Sequence, residues 1–441
     1  MKQFIKLTFL LLSYCITNHV LAENLIDLYN LAKDNDPTIQ AAYQDYNSQL
    51  EALPQARASL LPTINATSGS ANNYCSTNSS TTPSNSSKYN SWSYGISMTQ
   101  PIFQMDVWSK LSQAKDTVKK AFATLADAEQ ALLFRVSQQY FAILEAQDDL
   151  NCNTAAQKSF AKQLEQAKQR YKVGLIAITD VLVAQAAYDN AYALVIGAEN
   201  DLATAKEELR KIVGKHILHF AQLKTTIKLP TPHPTNIKKW VQSAIEKNWS
   251  LQAARYDLAI AKKKIQQYRA GNYPTLGLNA NANKAKNPTG AAQGEPTSRS
   301  VGLVFNLPLF SGGKIISQTR QASYAYEATK DKFEQTYRTT ESKTRQAYNG
   351  VLTKLSQVKA FKQAVISNAS ALKSTEAAFA VGTKTIVDVV IAQSALTNAE
   401  KDYAKARCDY IIQSLTLKQV TGVLSVEDLQ EINGWLQMGK K

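Results

Sequence analysis

The sequence predicts a mostly α-helical protein with a small β portion, laid down twice along one chain. Three observations predict it. A glycine-centred stretch recurs, long segments free of Gly and Pro surround each copy, and four short segments alternate polar with apolar residues. The first copy of the stretch is Tyr171-Lys-Val-Gly174-Leu-Ile-Ala-Ile-Thr179-Asp180-Val-Leu-Val-Ala-Gln185. The second is Phe379-Ala-Val-Gly382-Thr-Lys384-Thr-Ile-Val387-Asp388-Val-Val-Ile391-Ala-Gln393. Gly174 and Gly382 lie 208 positions apart, as do Asp180 and Asp388. A Gly that ends one helix, followed by a short polar link into the next, reads as the turn of an αα-hairpin. The repeat outweighs the division into two or three ordinary domains that 441 residues would otherwise suggest.

The N-terminus reads as a secretory signal peptide over residues 1–22. Lys2 and Lys6 form its basic region, Leu7 to Ile16 its apolar region, and Val20-Leu21-Ala22 precedes the cut. No later stretch comes near the roughly 18 apolar residues of a membrane-spanning helix, so entry into a membrane would have to use strands. Its removal leaves Cys75, Cys152 and Cys408, without a CxxC pair, and these read as isolated thiols.

The first repeat covers residues 23–214. Leu25, Leu28, Leu31 and Ala32 form one apolar helical stripe; Asp36-Pro37 breaks it and starts a second helix, which Leu61-Pro62 ends. The period then changes from helical to two. Trp92, Tyr94, Ile96 and Met98 alternate with Ser91, Ser93, Gly95, Ser97 and Thr99, a strand pattern. Residues 63–72 are a poorer partner strand, and the Ser/Thr/Asn-rich stretch between the two, with Pro83, reads as a loop. This pair of strands lies within about residues 62–103. From Asp106 to Tyr171 there is neither Pro nor Gly, and Val118, Phe122, Leu125, Leu132, Val136, Ile143 and Leu150 follow steps of four and three. Such a helix would be about 100 Å long, which demands coiled-coil-like packing. After the turn at Gly174 a further helix runs to Val213-Gly214.

Residues 215–236 are a connector with Pro230, Pro232 and Pro234. The plan restarts over residues 237–422. Asn248-Trp-Ser-Leu-Gln-Ala-Ala254 echoes Asp36-Pro-Thr-Ile-Gln-Ala-Ala42, and Pro308-Leu-Phe310 echoes Pro101-Ile-Phe103. Two more alternating segments fall within about residues 274–310. Leu276, Leu278, Ala280 and Ala282 form one apolar set; Val301, Leu303, Phe305 and Leu307 form the other, with a polar loop at 284–298 between them. A mildly amphipathic tail, 423–441, follows.

Strands of about ten residues span a bilayer when tilted, with apolar residues outward and polar ones toward a lumen. Four strands are too few to close a barrel, and an open edge in lipid would leave backbone groups unpaired. Other copies of the chain must therefore complete it, and three copies supply twelve strands. The long helices then project into the periplasm as a bundle or tube. Its mouth falls at the hairpin turns, with Asp180 and Asp388.

The repeated residues resemble the TolC family of outer-membrane channel-tunnels over essentially the whole mature chain. Val173-Gly-Leu-Ile-Ala-Ile-Thr-Asp180, Val381-Gly-Thr-Lys-Thr-Ile-Val-Asp-Val389 and Leu307-Pro-Leu-Phe-Ser-Gly-Gly313 carry the resemblance. It implies a homotrimer with a twelve-stranded transmembrane barrel continuous with a periplasmic helical tunnel. The implied role is exit duct for an inner-membrane efflux pump or ABC exporter, joined through a periplasmic adaptor protein, in efflux or type I secretion. It also implies a gate at the hairpin turns Gly174 and Gly382. Thr179 and Asp180 would face a basic residue at 384 and an aromatic at 379, and Asp388 would form a ring of three carboxylates at the entrance constriction. Three positions depart from the family pattern: Lys384 replaces Arg, Phe379 replaces Tyr, and Ile391 replaces a second Asp. Lys offers no planar bidentate bond to Asp180, and Phe no hydroxyl.

Other classes fit less well. The net charge of +15 comes without a nucleic-acid-binding motif, and Lys262-Lys263-Lys264 reads as a solvated helix face. An enzyme would need a phosphate loop or a nucleophile–His–acid set. The mature chain has only His216, His219 and His233, which read as surface residues, so neither a metal nor a cofactor is expected. The alternative is a periplasmic coiled-coil adaptor or scaffold that forms no pore, against which the four alternating strands argue.

Overall fold

The structure is a computed structural model and describes residues 24–79, 82–224, 227, 229–286 and 295–437. The expected signal peptide lies outside the described residues, as do positions 287–294 of the second polar loop and residues 438–441 of the tail. The side chain of Cys75 is likewise outside them, while Cys152 and Cys408 are free thiols. The chain forms two compact units. One comprises Met1–Ala41, Asp127–Asn248 and Thr340–Lys441; the other comprises Ala42–Ala126 and Trp249–Thr339.

The helices in chain order are α1 Leu25–Asn35, α2 Pro37–Leu50, α3 Ala52–Ala58, α4 Met105–Lys172, α5 Ile178–Val213, α6 Ile237–Lys247, α7 Trp249–Arg269, α8 Lys314–Ala380, α9 Ile386–Val420 and α10 Val426–Asn433. The strands are β1 Thr63–Ser79, β2 Thr82–Phe103, β3 Gln222–Leu223, β4 Thr275–Lys286, β5 Thr297–Asn306 and β6 Leu436–Gln437.

In the second unit β1, β2, β4 and β5 form one antiparallel sheet in that order. The register aligns the alternation across all four strands. One row reads Ile64, Met98, Ala280, Val301; its neighbour on the other face reads Asn65, Ser97, Asn281, Ser300. One sheet face is therefore apolar and the other polar, as period two requires. Among the described residues nothing covers the apolar face: Val301 is 77 % exposed, and Ile64, Leu303 and Phe305 are each 66 % exposed. Gly95 stands on the polar face, where a Cβ would meet the Asn283 side chain at 1.9 Å. β1 and β5 are the outer strands.

The first pair of strands is longer than the sequence suggests, 17 and 22 residues, and the Ser/Thr/Asn-rich stretch expected to be a loop continues the ladder to Ser79↔Thr82. A hairpin ribbon satisfies its own backbone and needs no buried face, so polar Ser, Thr and Asn can extend it. Pro83 falls at the register shift between Ser79↔Thr82 and Thr77↔Asn85, where a missing donor disrupts nothing. Among the described residues the β2–β4 ladder runs as far as Trp92↔Lys286.

The helical part of this unit is joined by polar bonds as well as packing. Lys263 pairs with Asp116 at 2.6 Å and Lys120 with Asp257 at 2.8 Å, and the Phe122 ring meets Trp249 edge to face.

In the first unit the core gathers around the middle of α4. Leu132, Val136 and Ile143 are buried as their spacing predicts, but so are Leu133, Ser137, Tyr140, Phe141 and Leu144. The narrow seam expected of a coiled coil is here a wide apolar face, because α4 meets more than one neighbour. The connector packs onto this unit through its carbonyls. Tyr140 donates to Ala221 at 2.6 Å, and Tyr410, Tyr348 and Arg407 donate to Pro230, Thr235 and Lys224. β3 pairs with β6, tying the connector to the tail. Arg135 forms an ion pair with the buried Asp36 carboxylate at the α1–α2 break.

One sequence reading needs correction. α5 is long and apolar enough, by length and composition, to cross a membrane. Its apolarity serves two faces. Val181, Ala184, Ala191, Val195, Ala198 and Leu202 are buried, while Leu182, Tyr192, Leu194 and Ile196 are exposed.

Candidate functional site

Both glycine-centred stretches are helical hairpin turns, and both are built in the same way. Gly174 and Gly382 have φ of 74° and 83°, a left-handed conformation that costs glycine least. At the first turn Gly174 N–H donates to the Tyr171 carbonyl and Leu175 N–H to that of Arg170, each at 2.9 Å. At the second, Gly382 N–H donates to Phe379 and Thr383 N–H to Ala378, at 3.1 and 2.9 Å. This pair of bonds is the Schellman arrangement, which occupies carbonyls that the helix end leaves without partners.

The turns differ at the start of the next helix. Thr385 is the N-cap of α9: its hydroxyl accepts from Asp388 N–H, while the Asp388 carboxylate accepts from Thr385 N–H at 2.9 Å. That is a complete capping box. At the equivalent place before α5 stands Ala177, which has no side chain to cap with. Among the described residues the Asp180 carboxylate makes no hydrogen bond or ion pair, so the repeated acids have different duties. Asp180 remains available; Asp388 is engaged. Lys384 adds an ion pair to Asp388 at 3.2 Å. The Thr385 backbone and hydroxyl, then Lys384, hold the Asp388 carboxyl below the usual aspartate range.

Phe379 does not project from the turn. It is 8 % exposed and packs in a cluster with Leu164, Ala167, Val181, Ala184, Leu372, Ile386 and Val389. The cluster draws one or more residues from each of α4, α5, α8 and α9, so it fixes the two hairpins together. Over the Phe379 ring lies the guanidinium of Arg170, 4.5 Å from the ring centre. Thr179 is exposed, and Ile391 is 62 % exposed with no apolar cover of its own. Within one chain, then, the structure joins Lys384 to Asp388 and seats Phe379 in the hairpin core, and it does not join Lys384 to Asp180.

Two participants escaped the sequence reading. Thr385 was legible, since Thr385-Ile-Val-Asp388 before an apolar run has capping-box spacing. Arg170 was not, because its target lies on another helix more than 200 residues away. Among the described residues no group of three or more His, Cys, Asp or Glu is placed to hold a metal ion. His216 lies 3.7 Å from Glu207 on the surface.

A sheet with one exposed apolar face and, in the same chain, two long helical hairpins are the marks of a membrane-inserted β structure that also carries long helices. The outer membrane efflux protein family matches residues 28–215 and 240–423, one match for each repeat, and the chain belongs to that family. Outer membrane protein TolC of Vibrio cholerae serotype O1 is 36 % identical over 430 residues, covering 97 % of each chain. Alkaline protease secretion protein AprF of Pseudomonas aeruginosa is 28 % identical over 93 % of this chain and 86 % of its own. Among solved structures, the CmeC outer membrane channel of Campylobacter jejuni superposes with a TM-score of 0.80 at 15 % identity, covering 94 % of this chain and 90 % of that one. The protein is an outer-membrane channel and serves as an exit duct for efflux.

Proposed function

We propose that three copies of the chain close a twelve-stranded barrel and that their hairpin turns form the gate of the duct at its periplasmic end. The chain does no catalysis of its own in this reading. It receives cargo from an inner-membrane efflux pump or ABC exporter through a periplasmic adaptor, and a secreted protein is one such cargo, as AprF's name states for that relative. The observation that carries the proposal is the register-aligned apolar face on a four-stranded sheet with two outer strands. Such a sheet in lipid requires partners for β1 and β5, and further copies supply them without a free edge. The exposed apolar side of α5, Leu182, Leu194 and Ile196 among it, gives the helices a matching surface for neighbouring copies. It also speaks against an adaptor without a pore, which would have no use for the sheet.

The mass of the detergent-extracted protein tests this: a trimer is expected, and a monomer with a closed barrel would overturn it. Asp180, without a partner among the described residues, is the group best placed to bond a neighbouring hairpin. Phe379→Tyr is expected to tighten the closed state, since its hydroxyl adds a donor beside the turn, and single-channel conductance should fall. An unchanged conductance would remove position 379 from the gate.

A further inference from the structure

Each hairpin turn closes its own helix end, and among the described residues the second alone is also held by a side chain from the other hairpin. Arg170 lies in the last turn of α4, and its own carbonyl is used in the first turn by Leu175 N–H. Its side chain leaves that hairpin and reaches the end of α8. Nη1 donates to the Phe379 carbonyl at 3.1 Å and Nη2 to the Ala380 carbonyl at 3.3 Å. The guanidinium plane meanwhile covers the Phe379 ring at 4.5 Å. Three favourable terms coincide. The last carbonyls of a helix lack intrahelical donors, the C-terminal end of its dipole attracts a cation, and a guanidinium is attracted to an aromatic face. In the repeat, the position 208 residues after Arg170 is Ala378, so no reciprocal arm exists. The contact is one-way.

Packing holds this helix end through Phe379, and Arg170 adds polar bonds to it. Beside it is a cavity of about 490 Å³ bordered by Gln163, Arg170, Glu376, Phe379 and Ile386. Among the described residues the buried Gln163 amide has no hydrogen-bond partner on either its nitrogen or its oxygen. Arg170 borders this groove and reaches across from α4 to the end of α8.

We propose that Arg170 is a positioning residue of the gate: it clamps the second hairpin turn to the first within each chain and so holds the second turn in its closed position. The proposal rests on the reading of the turns as the gate. Arginine is required because one side chain must donate twice and stack at once. Lysine offers a point charge without the planar fork.

The test uses the full-length trimer carrying Arg170→Ala or Arg170→Lys, with Asp180→Ala as a control for the gate itself. Hydrogen exchange at the turn amides and single-channel conductance are read on protein that still runs as a heat-stable trimer. Both Arg170 variants should speed exchange over residues 381–385 by roughly tenfold, leave residues 173–177 at the wild-type rate, and raise conductance. Phe379→Leu should add little once Arg170 is gone, because the stacked pair acts as a unit. Wild-type exchange and conductance in Arg170→Ala would overturn the clamp, and so would full function in Arg170→Lys or equal loosening of both turns. If Asp180→Ala raises conductance while the Arg170 variants do not, the clamp fails and the gate stands. If no variant changes conductance, the gate reading fails. Should Arg170→Ala not assemble, Arg170→Lys keeps the charge and carries the test.

Discussion

Leu303→Arg is expected to yield a chain that is synthesised but absent from the outer membrane. Leu303 pairs with Leu278 in the apolar row of the sheet and is 66 % exposed, with nothing among the described residues to cover it. In water, a charge there would be harmless or helpful. In lipid, Arg at the middle of a barrel strand costs about 2–4 kcal/mol, and threefold symmetry repeats that cost in each copy. Asn281→Arg, on the polar face of β4, is the matched control and should insert normally. Membrane fractionation with a heat-modifiability assay decides. Normal insertion of Leu303→Arg, or failure of both variants alike, would mean that the apolar face is not the lipid face.

The second large effect concerns the entrance. The sequence suggests a ring of free carboxylates at Asp388, one from each copy. In the structure each Asp388 is engaged twice, in the capping box with Thr385 and in the ion pair with Lys384. A trivalent cation added on the periplasmic side should therefore block wild-type conductance only weakly. Lys384→Ala removes the competing cation and leaves the capping box intact, so the block should strengthen several-fold. Asp388→Asn in the same background should abolish it, since Asn still caps a helix but carries no charge. Because Ile391 supplies no second carboxylate, the strengthened block still rests on a single ring. Blocking titrations at one salt concentration read all three proteins. If Lys384→Ala blocks no better than wild type, the carboxylates are not near one another at the constriction.

The sequence shows much of this architecture because its signals are periodic or punctuating. Alternation places Met98, Ala280 and Val301 on one face, and the register then joins them across the sheet. Gly174 and Gly382 mark the turns because a positive φ is what such a turn demands. The extent of the β1–β2 ribbon was hidden because backbone pairing, not side-chain character, extends it. The two-sided apolarity of α5 was hidden for a related reason: abundant Ala blurs the boundary between its faces. The site was legible by position and illegible by partner. Asp180 and Asp388 look alike in sequence, yet the Ala177 and Thr385 that precede them give the two acids different duties. Arg170 reads as an ordinary charge at the end of its own helix, and only the fold brings it to Phe379.

A channel of three copies held closed at the hairpin turns should conduct little until the turns are loosened. Single-channel recording in planar bilayers, on purified full-length trimer and its Asp180→Ala variant, tests this most directly. The wild type should show a small, steady conductance and Asp180→Ala a several-fold larger one, from trimers of equal mass and heat stability. A wild-type conductance already as large as the variant's, or no conductance from either, would contradict it.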